Sequence, residues 1–208
     1  MDVLKIQEAN TRVIGKQICY REEFESTHLK SKQIVKKLSL IDNGTILLAD
    51  RQSNGVGTHG REWYTGAEKN IAMTIILIPK CEIGELENLT IIIAQSMQKA
   101  IKKLYGYNLE IKEPNDLMLQ GKKIGGILTE VNTISGHINY LLISIGFNVN
   151  EEKFSDETKE LATSLKAEYH KEFSREEIIK RLRKYSKYYS NIYNCKDNDV
   201  EINNLWKQ

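Results

Sequence analysis

Apolar residues along the chain are concentrated in two runs that enclose a polar, glycine-rich segment. The runs lie at residues 45–49 and 70–78, and their length predicts two buried β-strands. The segment between them, residues 52–63, carries glycines at positions 55, 57 and 60. A backbone with so few side chains lets amide N–H groups approach an anionic ligand closely. The pattern therefore predicts a glycine loop that connects two buried strands and covers a charged group.

Shorter apolar stretches complete a sheet around these two strands. Gln120–Gly121 is a tight turn, and the two long stretches after it predict an antiparallel pair. Strands with interspersed helices and an antiparallel half predict a mixed sheet with helices packed on it, in the α/β (α+β) class. The predicted strands lie at residues 17–24, 45–51, 70–78, 109–111, 117–119, 123–133 and 137–148.

Helical spacing of apolar residues is clearest between Leu86 and Leu104, which predicts a long buried helix that Gly106 ends. Ser26 or Thr27 is a suitable N-cap for a helix that ends near residue 38. From residue 156 onward the pattern turns helical and strongly charged. A capping box at residues 174–177 predicts a helix that continues to about residue 193.

Composition narrows the class of protein. A chain of 208 residues with 40% hydrophobic content predicts one domain, residues 1–208, with its own core. Thirty Lys+Arg against 28 Asp+Glu give a formal charge of +2, too balanced to indicate a nucleic-acid partner. The three cysteines lack metal-ligand spacing, which favours a reduced, cytoplasmic setting. No signal peptide and no apolar run of the roughly 20 residues that span a bilayer is found, so no membrane partner is expected.

Two side chains at the end of the glycine loop can bind a ligand. Arg61 offers a planar cation suited to phosphate or carboxylate, and Trp63 offers an apolar wall for a ring. The alternative is a surface hairpin whose glycines only satisfy turn geometry. The loop leads into a strand and not into a helix, so it is not a dinucleotide-binding fingerprint.

A second candidate segment runs from Lys112 to Lys123 and includes Asn115 and Asp116. If the turn folds back, both ammonium groups and the carboxylate converge on one pocket. That arrangement suits adenylation, in which a carboxylate attacks the α-phosphate of ATP and pyrophosphate leaves, because fixed cations and Mg²⁺ lower the barrier. The alternative is a solvated turn of ordinary composition.

Taken together, these segments resemble the biotin–protein ligases from about residue 18 to residue 150. The order and spacing of the motifs carry the resemblance, which implies a class II aminoacyl-tRNA synthetase-like catalytic fold with a largely antiparallel sheet. The matching positions are Ser26–Thr27–His28, Gln52, Gly55 to Trp63, Lys112 to Asp116, Lys123 before Gly126–Ile127–Leu128, and Gly146 to Asn150.

The resemblance implies a two-step reaction. Biotin and MgATP form biotinyl-5′-AMP, and a lysine of a biotin carboxyl carrier protein domain then attacks the mixed anhydride. The implied catalytic residues are Lys123, Arg61, Lys112 and Asp116, with Asp116 also orienting Mg²⁺. The implied biotin contacts are Ser26, Thr27, His28, Gln52, Gly55, Val56, Gly57, Thr58, Lys123 and Gly126, and the implied ATP contacts are Arg61, Trp63, Asn115 and Asn148.

The chain departs from the family pattern in three respects. Val56, Thr58 and His59 replace arginines of the glycine loop, which predicts weaker retention of the adenylate. His28 stands where Asn is usual, and this change is expected to alter the selectivity for biotin. Glu113 stands where Trp is usual, and this change is expected to alter packing. Neither an N-terminal winged helix nor a C-terminal β-barrel is recognised, which argues against regulation by DNA binding.

Two other functions remain open at this stage. A lipoate or octanoate ligase would use a related fold and also acylate a carrier lysine. A degenerate, non-catalytic biotin-binding module is the non-enzymatic alternative, although the retained Lys112, Asp116 and Lys123 argue against it. Exposed strand edges would allow a homodimer.

Overall fold

A single seven-stranded sheet forms the centre of the protein. The structure is a computed structural model that describes residues 1–11, 13–36, 43–66 and 68–185. In the sheet the strands follow the order β1-β2-β3-β7-β6-β5-β4, in which β1 and β2 pair in parallel and every other pair is antiparallel. The prediction of a mixed, largely antiparallel sheet is confirmed. The strands are β1 Ile18–Phe24, β2 Thr45–Gln52, β3 Ile71–Leu77, β4 Glu110–Lys112, β5 Asp116–Leu119, β6 Lys122–Ile134 and β7 His137–Phe147.

Helices cover both faces of this sheet. Alternate residues of the central strands point to opposite faces, so each strand contributes to two apolar clusters. On one face, Met73 and Ile75 of β3 pack in the main core with residues of the third and fifth helices. On the other face, Leu47, Ile76 and Leu142 pack against Val35 at the end of the second helix. The helices are α1 Val3–Gln7, α2 Thr27–Ile34, α3 Leu89–Tyr105, α4 Leu165–Tyr169 and α5 Arg175–Tyr185.

The predicted helix ends are largely those observed. Ser26 is the N-cap of α2, and its Oγ accepts the N–H of Leu29 at 3.4 Å. Gly106 ends α3 with φ of +79°, a left-handed conformation that glycine adopts without strain. The start of α3 was predicted at residue 86, but Ile83–Leu86 forms a separate 3₁₀ turn and the left-handed Asn88 interrupts the chain before Leu89.

The two ends of the described chain differ from the sequence prediction. The short helix α1 was not predicted, and it lies against α5, where Arg183 donates hydrogen bonds to the carbonyl groups of Ile6 and Ile14. Residues 156–161 form turns, so between residues 156 and 185 the charged segment is helical in α4 and α5 and not throughout. Ser174 Oγ accepts the N–H of Glu177 at 3.2 Å, as a capping box requires. The predicted continuations of α2 to residue 38 and of α5 to residue 193 lie outside the described residues.

No helix within the described ranges is long and apolar enough to cross a membrane.

Candidate functional site

A cleft lies on the face of the sheet that α2 partly covers. It encloses about 440 Å³ of space free of atoms, part of it open to solvent. The floor comes from β3, β6 and β7, one side comes from the start of α2, and the glycine loop closes the other side. Cleft-lining residues therefore come from segments more than 100 positions apart in the sequence.

A row of directly opposed residues explains why the floor is open. Because residues opposite each other on paired strands share a face, the register of five strand pairs places one residue from each of six strands in line. The row begins with four residues that have a methyl group or no side chain at all, and it ends with two charged side chains. Its members are Ala49, Ala72, Gly146, Gly126, Asp116 and Lys112, in the order β2, β3, β7, β6, β5 and β4.

Polar side chains connect one end of the cleft to the interior. Gln52 Oε1 accepts the N–H of Thr27 at 2.8 Å and the hydroxyl of Thr27 at 3.0 Å. Thr74 Oγ1 lies 3.0 Å from Thr27 Oγ1 and 2.8 Å from Ser144 Oγ. Ser144 Oγ in turn lies 2.9 Å from His28 Nδ1. The structure thus places the predicted Thr27, His28 and Gln52 together, and it adds two residues that the sequence analysis missed.

Thr74 and Ser144 were missed because both lie inside strands that were recognised only by their apolar content. Thr74 is fully buried in β3, and Ser144 is 9% exposed in β7. A hydroxyl group buried in an apolar strand needs a hydrogen-bond partner. That requirement was the one signal in the sequence that could have identified them.

His28 also contacts a charged pair on its other side. Its Nε2 lies 3.0 Å from Glu130 Oε2, and Lys32 Nζ lies 2.9 Å from Glu130 Oε1. Burial raises the pKa of Glu130, but the hydrogen bonds from Lys32 and His28 outweigh it and hold this pKa below its ordinary value. Glu130 is therefore a carboxylate at neutral pH, and it was not among the predicted site residues.

The glycine loop is closed by hydrogen bonds between its own backbone groups. The N–H of Gly57 donates to the carbonyl of Arg61 at 2.8 Å, and the N–H of Trp63 donates to the carbonyl of Gly55 at 2.8 Å. A Cβ at Gly55 would collide with the Trp63 carbonyl and lie 2.7 Å from Gln52 Nε2, so this position requires glycine. Among the predicted contacts, Val56, Gly57 and Thr58 line the cleft.

Arg61 is not among the cleft-lining residues, although it contacts one of them. Its side chain is exposed, and the guanidinium donates to the carbonyl of Thr58 at 3.3 Å and to the hydroxyl of Thr58 at 3.1 Å. The guanidinium of Arg61 is thus exposed to solvent beside Thr58.

Trp63 lines the cleft. A Cβ at Gly146 would collide with the indole, and a Cβ at Gly126 would lie 3.5 Å from it, so the glycines of the floor make room for the ring. The indole Nε1 is buried, and it has no hydrogen-bond partner among the described residues. Lys123 Nζ lies 5.7 Å from the ring centroid.

Lys123 and Asp116 form an ion pair beside the floor. Lys123 Nζ lies 2.6 Å from Asp116 Oδ1. Both are partly exposed, at 28% and 20% of their side chains, so solvent and ligand can reach them. Asn115 lines the cleft next to them. Lys112 lies opposite Asp116 on β4, is exposed, and is not among the cleft-lining residues.

Two residues that were predicted to contact a ligand bind other parts of the protein. The Nδ2 of Asn148 donates to the carbonyl of Thr163 at 3.0 Å, and its backbone N–H donates to the carbonyl of Ile124 at 2.8 Å. Ser26 is 1% exposed and caps α2. Neither residue is among those that line the cleft.

Comparison with known proteins gives a consistent result. Residues 24–150 match the Biotin/lipoate A/B protein ligase family. The chain is 31% identical over 174 residues to the bifunctional ligase/repressor BirA of Bacillus spizizenii, covering 83% of this chain and 53% of the relative. It is also 31% identical over 127 residues to the biotin–[acetyl-CoA-carboxylase] ligase of Paracoccus denitrificans, covering 60% of this chain and 51% of the relative. The chain spans about half the length of these relatives.

A solved structure agrees in fold. The biotin protein ligase from Aquifex aeolicus, in complex with biotin and ATP, superposes with a TM-score of 0.72 at 29% identity. The match covers 85% of this chain and 71% of that protein.

Proposed function

Because the chain belongs to the biotin/lipoate A/B protein ligase family, we propose that it attaches biotin to a lysine of a biotin carboxyl carrier protein in an ATP-dependent reaction. One observation carries this proposal. The cleft ends at the polar side chains of Thr27, Gln52 and Ser144, which we call its closed end, and the ion pair of Lys123 and Asp116 lies beside its floor. The polar end suits a ring that hydrogen-bonds, and the lysine suits the acid to be activated.

The closed end is proposed to bind the ureido ring of biotin. A cyclic urea has two N–H donors and one carbonyl acceptor, and each needs a partner once it is buried. The hydroxyls of Thr27 and Ser144 and the amide of Gln52 supply such partners. Ser26, His28, Gly55, Val56, Gly57, Thr58 and Gly126 are proposed to shape the site around the ring and its acyl chain.

Lys123 is proposed to hold the carboxylate of biotin. A carboxylate oxygen then attacks the α-phosphorus of ATP, a P–O bond forms, and pyrophosphate leaves with the electron pair of the broken P–O bond. The amine of the acceptor lysine next attacks the acyl carbon and expels AMP. Fixed cations stabilise the charge that develops on the phosphate oxygens, a role proposed for Lys112 and Arg61. Trp63, Asn115 and Asn148 are the proposed contacts for the nucleotide.

The described residues can bind Mg²⁺ only if the phosphates of a bound nucleotide supply further ligands. No group of three or more His, Cys, Asp or Glu side chains in the described ranges could hold a metal ion. Mg²⁺ is commonly bound through one or two carboxylates together with substrate phosphates and water. Asp116 is the proposed carboxylate, and the ion would neutralise phosphate charge.

We propose a carrier domain of a biotin-dependent carboxylase as the acceptor and a cytoplasmic setting, without a nucleic-acid partner. The Paracoccus denitrificans relative is named for acetyl-CoA carboxylase. Cys19 and Cys81 are free thiols, which suits a reducing compartment. β1 lies at one edge of the sheet, and this edge would allow a homodimer.

The test compares three acids side by side. Pyrophosphate release is measured with biotin, lipoate and octanoate, and transfer is measured with labelled biotin and a carrier domain. We expect release and transfer with biotin. Release with lipoate or octanoate alone would assign the chain to the related ligases, and biotin binding without any AMP formation would indicate the non-catalytic module.

Weak retention of the adenylate is a separate prediction. Val56 and Thr58 line the cleft as uncharged residues, so the loop lacks fixed positive charge where the family pattern has arginine. Without acceptor, Val56→Arg is expected to slow the release of biotinyl-5′-AMP about tenfold, the effect of one charge-assisted hydrogen bond. Rapid filtration of the labelled intermediate measures this rate.

Ser155→Arg is the matched control because it adds the same charge at an exposed position outside the cleft lining. If both variants release the intermediate at the wild-type rate, the missing loop charge does not govern retention.

A further inference from the structure

The polar side chains at the closed end form one continuous chain of hydrogen bonds, which we call the hydroxyl relay. It joins six residues through five contacts of 2.8–3.0 Å between side-chain atoms. The members, in order, are Gln52, Thr27, Thr74, Ser144, His28 and Glu130.

One end of the relay has a fixed direction. The backbone N–H of Thr27 can only donate, and it lies 2.8 Å from Gln52 Oε1, so the amide oxygen and not the amide nitrogen faces Thr27. The hydroxyl of Thr27, 3.0 Å from the same oxygen, must therefore donate to it. A hydroxyl has one proton, so Thr74 must donate to Thr27, and Ser144 must donate to Thr74.

The same count applies to the imidazole. Since Ser144 has used its only proton, His28 Nδ1 must carry a proton and donate it to Ser144 Oγ. The other nitrogen, Nε2, faces the carboxylate of Glu130 at 3.0 Å, and a carboxylate only accepts. Five contacts need five protons, the three hydroxyls supply three, and the ring must supply two. Lys32 Nζ lies 2.9 Å from Oε1 and 3.0 Å from Oε2 of Glu130. This positive charge favours the ionised form of the Glu130 carboxyl group, so Glu130 does not supply a proton to the relay.

We propose that His28 is a specificity-determining residue, held doubly protonated between Ser144 and Glu130, and that it selects acids whose head group donates N–H. This inference rests on the proposed function. Because His28 donates to Ser144, every hydroxyl of the relay has given its proton to the next residue. The hydroxyls can then offer a ligand only lone pairs. A cyclic urea supplies N–H groups to them, whereas an octanoyl chain leaves them without partners.

The relay also explains why Asn can stand at position 28 in related proteins. An amide N–H of Asn can donate to Ser144 as His28 Nδ1 does, without any charge. His28→Asn is therefore expected to keep biotin selectivity, whereas His28→Leu removes the donor and lets Ser144 turn its proton toward the cleft.

The first experiment determines the number of ring protons in the wild-type protein. The ¹⁵N chemical shifts of His28 near neutral pH are expected to show protons on both nitrogens. In Glu130→Gln, the amide of Gln can donate to Nε2, so a ring with one proton on Nδ1 suffices. A wild-type ring with a single proton would overturn the inference, whether or not the protein is a biotin ligase.

The second experiment measures dissociation constants for biotin and octanoate by calorimetry. His28→Leu is expected to weaken biotin binding about tenfold and to leave octanoate binding unchanged or tighter. His28→Asn is expected to keep the wild-type ratio of the two constants. A ratio in His28→Leu equal to that of the wild type would overturn the proposed role.

The charged groups that face His28 are Glu130 on β6 and, through Glu130, Lys32 on α2. The ¹⁵N chemical shifts of the ring are a readout that a purely structural role of His28 would not move.

Lys32→Met and Lys30→Met form a matched pair on the same helix. The ammonium group of Lys32 binds Glu130, whereas the ammonium group of Lys30 donates to Gln33, the one hydrogen-bond partner it has in the described ranges. Lys32→Met is expected to change the ¹⁵N chemical shift of His28 Nε2 and Lys30→Met to leave it unchanged. Equal shifts in both variants would contradict the role of Glu130 as a carboxylate held by Lys32. If the wild type activates none of the three acids, the proposed function fails while the ring-proton count still decides this inference.

Discussion

Replacing Lys123 by methionine is expected to lower kcat/KM for biotin-dependent pyrophosphate release by about 10²–10³, the loss seen when one fixed group that stabilises transition-state charge is removed. Lys123 Nζ lies 2.6 Å from Asp116 and 5.7 Å from the Trp63 ring centroid. The proposed reaction brings the carboxylate of the acid to this place and develops charge on the oxygens of the α-phosphate. Methionine keeps the length of the side chain and removes its charge, and initial rates of pyrophosphate release measure the effect.

Lys122→Met is the matched control. Lys122 is the neighbouring lysine on β6, and adjacent residues of a strand point to opposite faces of the sheet, so Lys122 faces away from the floor of the cleft. It is expected to keep the wild-type rate. Lys123→Arg keeps the charge with a different geometry, so partial activity is expected. A Lys123→Met protein as active as the Lys122→Met protein would remove Lys123 from the mechanism.

Arg175→Met is expected to lower the free energy of unfolding by about 1.5–3 kcal/mol, the typical contribution of a hydrogen bond to a charged group, because Asp50 keeps the N-terminal ammonium of Met1 at 3.3 Å as a second ionic partner. Arg175 Nη1 lies 2.6 Å from Asp50 Oδ1, and both side chains are less than 10% exposed. Arg175 also donates to the carbonyl of Asn70 at 3.3 Å, so it links α5 to the ends of β2 and β3. Urea denaturation monitored by circular dichroism measures the change.

The control for Arg175 is Lys184→Met, which removes an exposed positive charge from the last turn of the same helix and is expected to change stability little. If Arg175→Met and Lys184→Met have equal stability, the buried pair does not hold α5 on the sheet.

Asp50 also gives the stability a pH dependence. Burial raises the pKa of Asp50, but the hydrogen bond from Tyr20 and the charge and hydrogen bond of Arg175 outweigh it, so the net pKa lies below the ordinary value. A carboxyl group with a lowered pKa stabilises the folded state above its unfolded pKa, about 3.9, and this contribution is lost as the pH falls further. The free energy of unfolding is therefore expected to decrease on acidification.

Tyr20 acts at the opposite end of the pH range. The hydrogen bond to Asp50 and, to a smaller extent, burial raise the pKa of the phenol from 10.0 to about 12. A group with a raised pKa contributes stability that is complete below its unfolded pKa and is lost as the pH rises through the folded value. Urea titrations across this range are expected to show a second decline at alkaline pH that is absent in Tyr20→Phe.

Much of the fold followed from the sequence because the patterns were long and unambiguous. The apolar run of β3, the helical period of α3 and the turn before β6 were each sufficient to place an element. Helix α1 was not found, since five residues are too few for a helix to be stable by propensity alone. Its position depends on the contacts that Arg183 makes with carbonyl groups far away in the sequence.

The candidate site was predictable where a motif named a residue. Thr27, Gln52, Lys123 and Gly126 were identified by their order and spacing, and the structure brings all four to one cleft. Ser144 and Glu130 had no motif, because each is a single polar residue inside a strand that pairs with distant segments.

The sequence by itself determined where the seven strands and most of the long helix α3 lie, that a glycine loop follows β2, and which family pattern the chain carries. Only the tertiary structure decided that Ala72, Gly146 and Gly126 form one open floor that leads to Asp116. Only the structure also decided that His28 lies between Ser144 and Glu130. The physical reason is that strand register sets which residues face each other, and register is fixed by pairing between segments that are remote along the chain.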